Sequence, residues 1–111
     1  MTPDKPVLRL DAQKGINTRP GAKNAREAAF SALRRVFRDK SFLSDVLTEE
    51  TEGLSPRDRA FARRISFGVL ERKTALDLVI ASFSSTPLKK IKPKLLIILE
   101  LASYELLYTD A

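Results

Sequence analysis

The sequence predicts an all-α fold, and three observations point there. Apolar residues recur at helical spacing in successive segments between residues 24 and 108, and nothing alternates with period two over a strand length. Helix-start chemistry recurs at Asn24 with Glu27, at Ser55-Pro56 with Asp58, and at Pro93. The last segment is apolar on every side, as the central helix of a bundle is.

Each element can be justified in order. Residues 1–22 carry Pro3, Pro6, Gly15, Pro20 and Gly21 without a sustained period, which reads as a flexible leader. Asn24 caps the first helix, with Glu27 at the third helical position in a capping-box arrangement, and the helix runs to about Arg38. At about 100° per residue, Ala25, Ala28, Ala29, Ala32, Leu33, Val36 and Phe37 share a face. Arg34, Arg35 and Arg38 lie opposite. Arg26 falls inside the apolar arc, so it either snorkels to water or meets a carboxylate of the last helix, Glu100 or Glu105.

Residues 42–52 form a second, short helix with Leu43, Val46 and Leu47 inward, and Gly53 suits the position after its end. Ser55 then caps a third helix, with Pro56 first and Asp58 completing the box. Phe61, Ala62, Ile65, Gly68 and Val69 line its inner face. A mid-helix glycine costs about 1 kcal/mol relative to alanine, so Gly68 implies close approach of a neighbouring helix. Thr74 reads as the cap of a fourth helix, with Asp77 three residues on and Leu76, Val79, Ile80 and Phe83 as its buried stripe. A short turn follows, Leu88 to Pro93, and Pro93 opens the last helix, which runs to about Tyr108. Only Glu100, Ser103 and Glu105 interrupt its apolar surface. Four short helices must therefore enclose it, or one side stays bare; the second is expected, with the bundle incomplete at Ala111.

Composition narrows the chemistry. The 111 residues can fill one core. Cys and His are both absent, which excludes a disulfide, a thiolate nucleophile, the usual general base and the commonest metal ligands. None of the four glycines forms a phosphate-cradling loop. No catalytic, cofactor or metal-ligating residue is expected, and the lack of Cys fits a reducing cytoplasm. Neither an apolar targeting segment nor a stretch able to span a bilayer is visible.

Charge is uneven. Lys and Arg number 20 against 14 Asp and Glu. Residues 1–40 hold ten of the basic residues and only four acidic ones, whereas residues 41–111 balance at ten of each. A basic front end suggests a polyanion-facing arm; the competing reading is a solubilising tail. Lys89, Lys90, Lys92 and Lys94 form a second basic cluster.

Several segments carry a resemblance: Asn24-Ala25-Arg26-Glu27-Ala28-Ala29; Leu54-Ser55-Pro56-Arg57-Asp58-Arg59-Ala60 running to Phe67-Gly68-Val69-Leu70; Leu76-Asp77; and Ile98-Leu99-Glu100-Leu101-Ala102-Ser103-Tyr104-Glu105-Leu106-Leu107-Tyr108. In this order they resemble the NusB-like helical domain over about residues 23–110. The Phe-Gly-Val-Leu and Tyr-Glu-Leu-Leu-Tyr segments are closer to the N-terminal domain of the RsmB (Sun/Fmu) family of ribosomal-RNA cytosine-5 methyltransferases. That resemblance implies further helices and an S-adenosylmethionine domain beyond Ala111. It also implies a catalytic Cys thiolate with a second, assisting Cys, and this chain has neither.

The expectation is a flexible basic leader (residues 1–22) followed by a non-catalytic helical RNA-binding domain (residues 23–111). Its phosphate contacts would be Lys23, Arg26, Arg34, Arg35, Arg38, Lys89, Lys90, Lys92 and Lys94. Expected partners are ribosomal RNA, a C-terminal methyltransferase domain, and a second copy or partner helix on the last helix; no membrane is expected. Two other readings stay open. One is a free-standing NusB-type antitermination factor that binds boxA-like RNA with a ribosomal protein. The other is a plain helical interaction domain.

Overall fold

The computed structural model describes residues 24–109, so the leader and Lys23 lie outside the described residues. Those residues form five α-helices and one 3-10 turn: α1 (Ala25–Asp39), α2 (Leu43–Glu50), α3 (Pro56–Glu71), α4 (Lys73–Phe83), the turn Leu88–Lys90, and α5 (Pro93–Tyr108).

Local chemistry sets most of the boundaries. The Asn24 side chain accepts from the Glu27 N–H at 2.8 Å, and the Glu27 carboxylate accepts from the Asn24 N–H at 3.2 Å, completing the expected box. Ser55 Oγ accepts from the Asp58 N–H at 3.1 Å, but the reciprocal bond is not formed. Asp is one methylene shorter than the Glu or Gln that normally closes such a box. α2 stops at Glu50, and Gly53 serves the turn beyond it with φ 90°.

The fourth helix begins earlier than expected. Thr74 is not its cap: α3 and α4 meet at Arg72, whose side chain makes no capping bond. The Arg72 N–H is shared between Gly68 O and Val69 O, while its own carbonyl accepts from the Leu76 N–H. Thr74 therefore lies inside the first turn of α4 rather than ahead of it. The stripe of α4 is also narrower than expected. Leu76 and Ile80 are buried and Val79 is half-buried, but Phe83, the final residue of α4, is 87% exposed.

α1 is the hub of the core. Its Ala25, Ala28, Ala29 and Ala32 are almost fully buried, and such small side chains let α2, α3 and α5 pack around it. Leu33, Ile65, Val69 and Leu76 fill the centre. α5 packs on α1, α3 and α4 through Ile97, Glu100, Leu101 and Tyr104. Its other side is bare, with Leu95, Ile98 and Leu106 exposed, and in the last turn Leu107 and Tyr108 are exposed as well. The bare side meets the expectation from periodicity, and among the described residues the helix is not enclosed.

Gly68 is where α3 and α5 come closest. A Cβ at that position would overlap the Tyr104 ring, which accounts for a glycine in mid-helix. Tyr104 is buried and stacks on Tyr108 with ring centroids 5.5 Å apart.

Glu100 is the core's one fully buried charged side chain among the described residues. Lys73 Nζ donates to its Oε2 at 3.2 Å and to Asp77 Oδ2 at 2.8 Å. Burial, and after it the hydrogen bond with Asp77, pushes the Glu100 carboxyl up to about 8 against the opposing pull of Lys73. A proton kept on Glu100 leaves one ammonium, one carboxylate and one neutral acid, so the buried cluster balances. It also gives the otherwise partnerless Glu100 Oε1 and Asp77 Oδ1 a proton to share. For Lys73, burial acts to lower the pKa, but the bonds to Asp77 and Glu100 outweigh it and the ammonium stays charged.

Two outcomes follow from this packing. Gly68→Ala gains about 1 kcal/mol of helix propensity yet is expected to destabilise by about 1–2 kcal/mol net, because displacing a buried ring costs more. Urea melts check this, and a stabilised variant would refute the close approach. The second outcome concerns pH. Unfolded, Glu100 loses its proton near 4.5; folded, it holds the proton to about 8. Between those values the folded state binds more protons, so Glu100 subtracts stability as pH rises, with a slope approaching about 1.4 kcal/mol per unit. Glu100→Gln, which mimics the protonated side chain, is expected to gain on the wild-type chain steadily from pH 5 to pH 8. Parallel stability curves for the two proteins would overturn the assignment.

Candidate nucleic-acid interface

The phosphate-contact candidates do not form one surface. Lys23 lies outside the described residues. Of the two carboxylates expected for it, Arg26 pairs with Glu105 and not with Glu100. It makes a two-pronged ion pair with Glu105, Nη2 to Oε1 at 2.7 Å and Nε to Oε2 at 3.0 Å. The guanidinium also lies over the Phe61 ring at 5.0 Å. Snorkelling and pairing therefore coexist: the Arg26 side chain is 62% exposed and Glu105 only 18%. The hydrogen bonds that Arg26 donates to Glu105 raise the Arg26 pKa, and the pair ties the start of α1 to the end of α5.

Arg35 is likewise engaged. Its Nη1 lies 2.8 Å from Glu49 and 3.1 Å from Glu50, pinning α1 to α2. Arg38 pairs with its neighbour Asp39 at 3.0 Å and holds that carboxyl below the usual range through the hydrogen bond. This pair is exposed on both sides, so water screens it and a phosphate can compete for Arg38.

One feature unites the two predicted clusters. α1, the 3-10 turn and the start of α5 enclose a cleft of about 490 Å³. Arg34 and Arg38 of α1 and Lys89 of the turn all line it. Its walls are apolar, from Phe37, Leu88, Ile91, Leu96 and Ile97, and Lys73 with Glu100 also borders it. Arg34 makes no ion pair with a described carboxylate, and neither does Lys89. Lys90, Lys92 and Lys94 stand exposed along the same turn and the first residues of α5. An apolar slot bordered by cations suits a ligand that is flat and anionic, and a nucleotide has that form.

Sequence reasoning passed over Lys73 and the arginines of α3. Arg57, Arg59, Arg63 and Arg64 are all exposed. They were hidden by the charge balance of residues 41–111, because the compensating acids sit on α2 and in the core. The signal that could have revealed them is local: four arginines against two acids within the sixteen residues of one helix.

No helix among the described residues is long and apolar enough to cross a membrane.

Comparison with known proteins follows the same line. A model of the NusB family matches residues 23–111. A Synechocystis protein named probable ribosomal RNA small subunit methyltransferase B is 36% identical over 90 residues, covering 78% of this chain and 20% of the relative. The ribosomal RNA small subunit methyltransferase B of Proteus mirabilis is 30% identical over 86 residues, and that of Escherichia coli 28% over 87, each covering 78% of this chain and 20% of the relative. The chain thus spans about one fifth of the length of these curated relatives. No solved structure matches it. The all-α core, its helix order and the match over residues 23–111 together place the chain in the NusB family.

Proposed function

We propose that this chain is an RNA-docking module of an S-adenosylmethionine-dependent ribosomal-RNA (cytosine-5) methyltransferase acting in the cytoplasm. Residues 23–111 would be the docking domain and residues 1–22 a basic arm. The observation that carries this reading is the convergence of Arg34, Arg38 and Lys89 on one apolar cleft. The relatives' names favour a methyltransferase context over a free-standing antitermination factor.

Docking needs no reactive side chain, and this chain has no Cys or His to supply one. Its own residues also offer no glycine-rich cradle for a nucleotide cofactor, so no step of methyl transfer is assigned to them. What they can do is concentrate and orient RNA. Cations at the cleft rim contact phosphates and set register without reading sequence. Their field raises the local RNA concentration and the encounter rate.

Binding of a ribosomal RNA hairpin, followed by fluorescence anisotropy, is expected to weaken steeply with salt. Replacing both Arg34 and Lys89 by Gln is expected to make the log–log salt dependence shallower by about one to two. Affinity that stays flat with salt, or a double variant with an unchanged slope, would refute docking through this cleft.

A further inference from the structure

The arginines of α3 contrast with those of α1 in one respect. On α1, Arg26, Arg35 and Arg38 each hold a described carboxylate. On α3, none of Arg57, Arg59, Arg63 and Arg64 does. Packing has neutralised much of the basic surface that charge counting nominates and has left a different one unneutralised.

The α3 cations are also held in a particular way. The Arg63 guanidinium lies over the Phe67 ring at 4.8 Å, and that of Arg64 over Phe61 at 5.3 Å. A guanidinium resting on a ring keeps its outer face and its N–H edges free, at reduced cost in side-chain entropy on binding. Beside them is a shallow depression of about 460 Å³, bordered by Ala60, Arg63, Arg64, Phe67, Gly68 and Tyr104. The glycine that admits Tyr104 thus also hollows the surface next to the two arginines. Glu71 borders the depression as well, and it lies 3.8 Å from Arg72, whose guanidinium covers the Tyr108 ring at 4.5 Å. No lining residue is shared with the cleft between α1 and the turn.

We propose that the outer face of α3 is a second RNA-contact surface, one that takes a single-stranded segment: Arg57, Arg63 and Arg64 on its phosphates, and the ring-backed guanidinium faces beside the depression against an unstacked base. Unpaired bases stack on aromatic rings and guanidinium planes, whereas a duplex offers its stacked bases no such access. The inference rests on the RNA-docking reading for its choice of polyanion, but it uses different residues and can fail alone.

The test compares the whole chain with two variants, Arg57→Gln/Arg63→Gln/Arg64→Gln and Arg63→Lys/Arg64→Lys. All substituted side chains are exposed, and circular dichroism with a thermal melt checks that each variant is folded. The probes are a single-stranded oligouridylate, a ribosomal RNA hairpin with a single-stranded tail, and a poly-glutamate peptide. The Gln variant is expected to bind oligouridylate about tenfold or more weakly, with a salt slope shallower by about two. The Lys variant is expected to keep the slope yet lose several-fold in affinity, because an ammonium keeps charge without the flat face. Unchanged oligouridylate binding by the Gln variant, while the wild-type chain binds RNA and the Arg34/Lys89 variant does not, overturns this proposal and leaves docking at the cleft standing. Equal losses toward oligouridylate and poly-glutamate would mark an indiscriminate charged patch and also overturn it. A wild-type chain that ignores every RNA probe removes both readings.

Discussion

The seat of α5 against its neighbours governs the rest of the molecule, and at Gly68–Tyr104 it is too close to admit a Cβ. Without a side chain at residue 68, α3 lets a tyrosine ring lie where a Cβ would be. That approach brings each successive inward turn of α5 to a specific partner. Glu100 reaches Lys73, Glu105 reaches Arg26, and Tyr108 passes under Arg72. The Glu100–Lys73–Asp77 cluster then fixes the start of α4 relative to α5, and both residues of the Lys73–Glu100 pair border the cleft. A buried carboxyl of this kind adds little net stability and is tolerated because it keeps its proton. Its geometric effect is larger: it anchors α4 where α1 and the turn can form the opposite wall.

Ion pairing redistributes the functional charge. Formal charges along the chain put the basic surplus in the first forty residues. In the fold, Arg26 and Arg35 serve as ties between helices, and Arg38 is shared with Asp39. The cations without a described carboxylate include Arg34, the lysines around the turn, and the α3 arginines. They form two surfaces of different character, a slot with cationic edges and a shallow face of arginines stacked on aromatics. The bare side of α5 is a third feature, apolar rather than cationic, and its exposed Leu and Ile side chains set it apart from both.

Helix number, helix order, two of the caps and the inner residues of α1, α2 and α3 were legible from sequence, because each depends on neighbours within one or two turns. Gly68 was legible as a close approach, though not its partner. The start of α4 was misread because Thr74 and Asp77 carry cap chemistry, while the backbone continues nearly unbroken from α3 through Arg72 and spends Asp77 on Lys73 instead. Phe83 was misread because helical spacing identifies a face without saying whether another element reaches its end. The candidate site was half legible. Arg34, Arg38 and Lys89 line one cleft, but Arg26 and Arg35 hold carboxylates of other helices, and the α3 face was invisible in a region whose charges cancel along the chain.

By itself, the sequence determined that this chain is helical, that its chemistry excludes thiol and imidazole catalysis, and that it carries enough positive charge to face a polyanion. Those properties follow from residue type and from spacing within a single helix. Only the tertiary structure decided which cations are spent on carboxylates and which remain for a ligand, because a charge pairs with what lies a few ångströms away in space and not with what is near it along the chain.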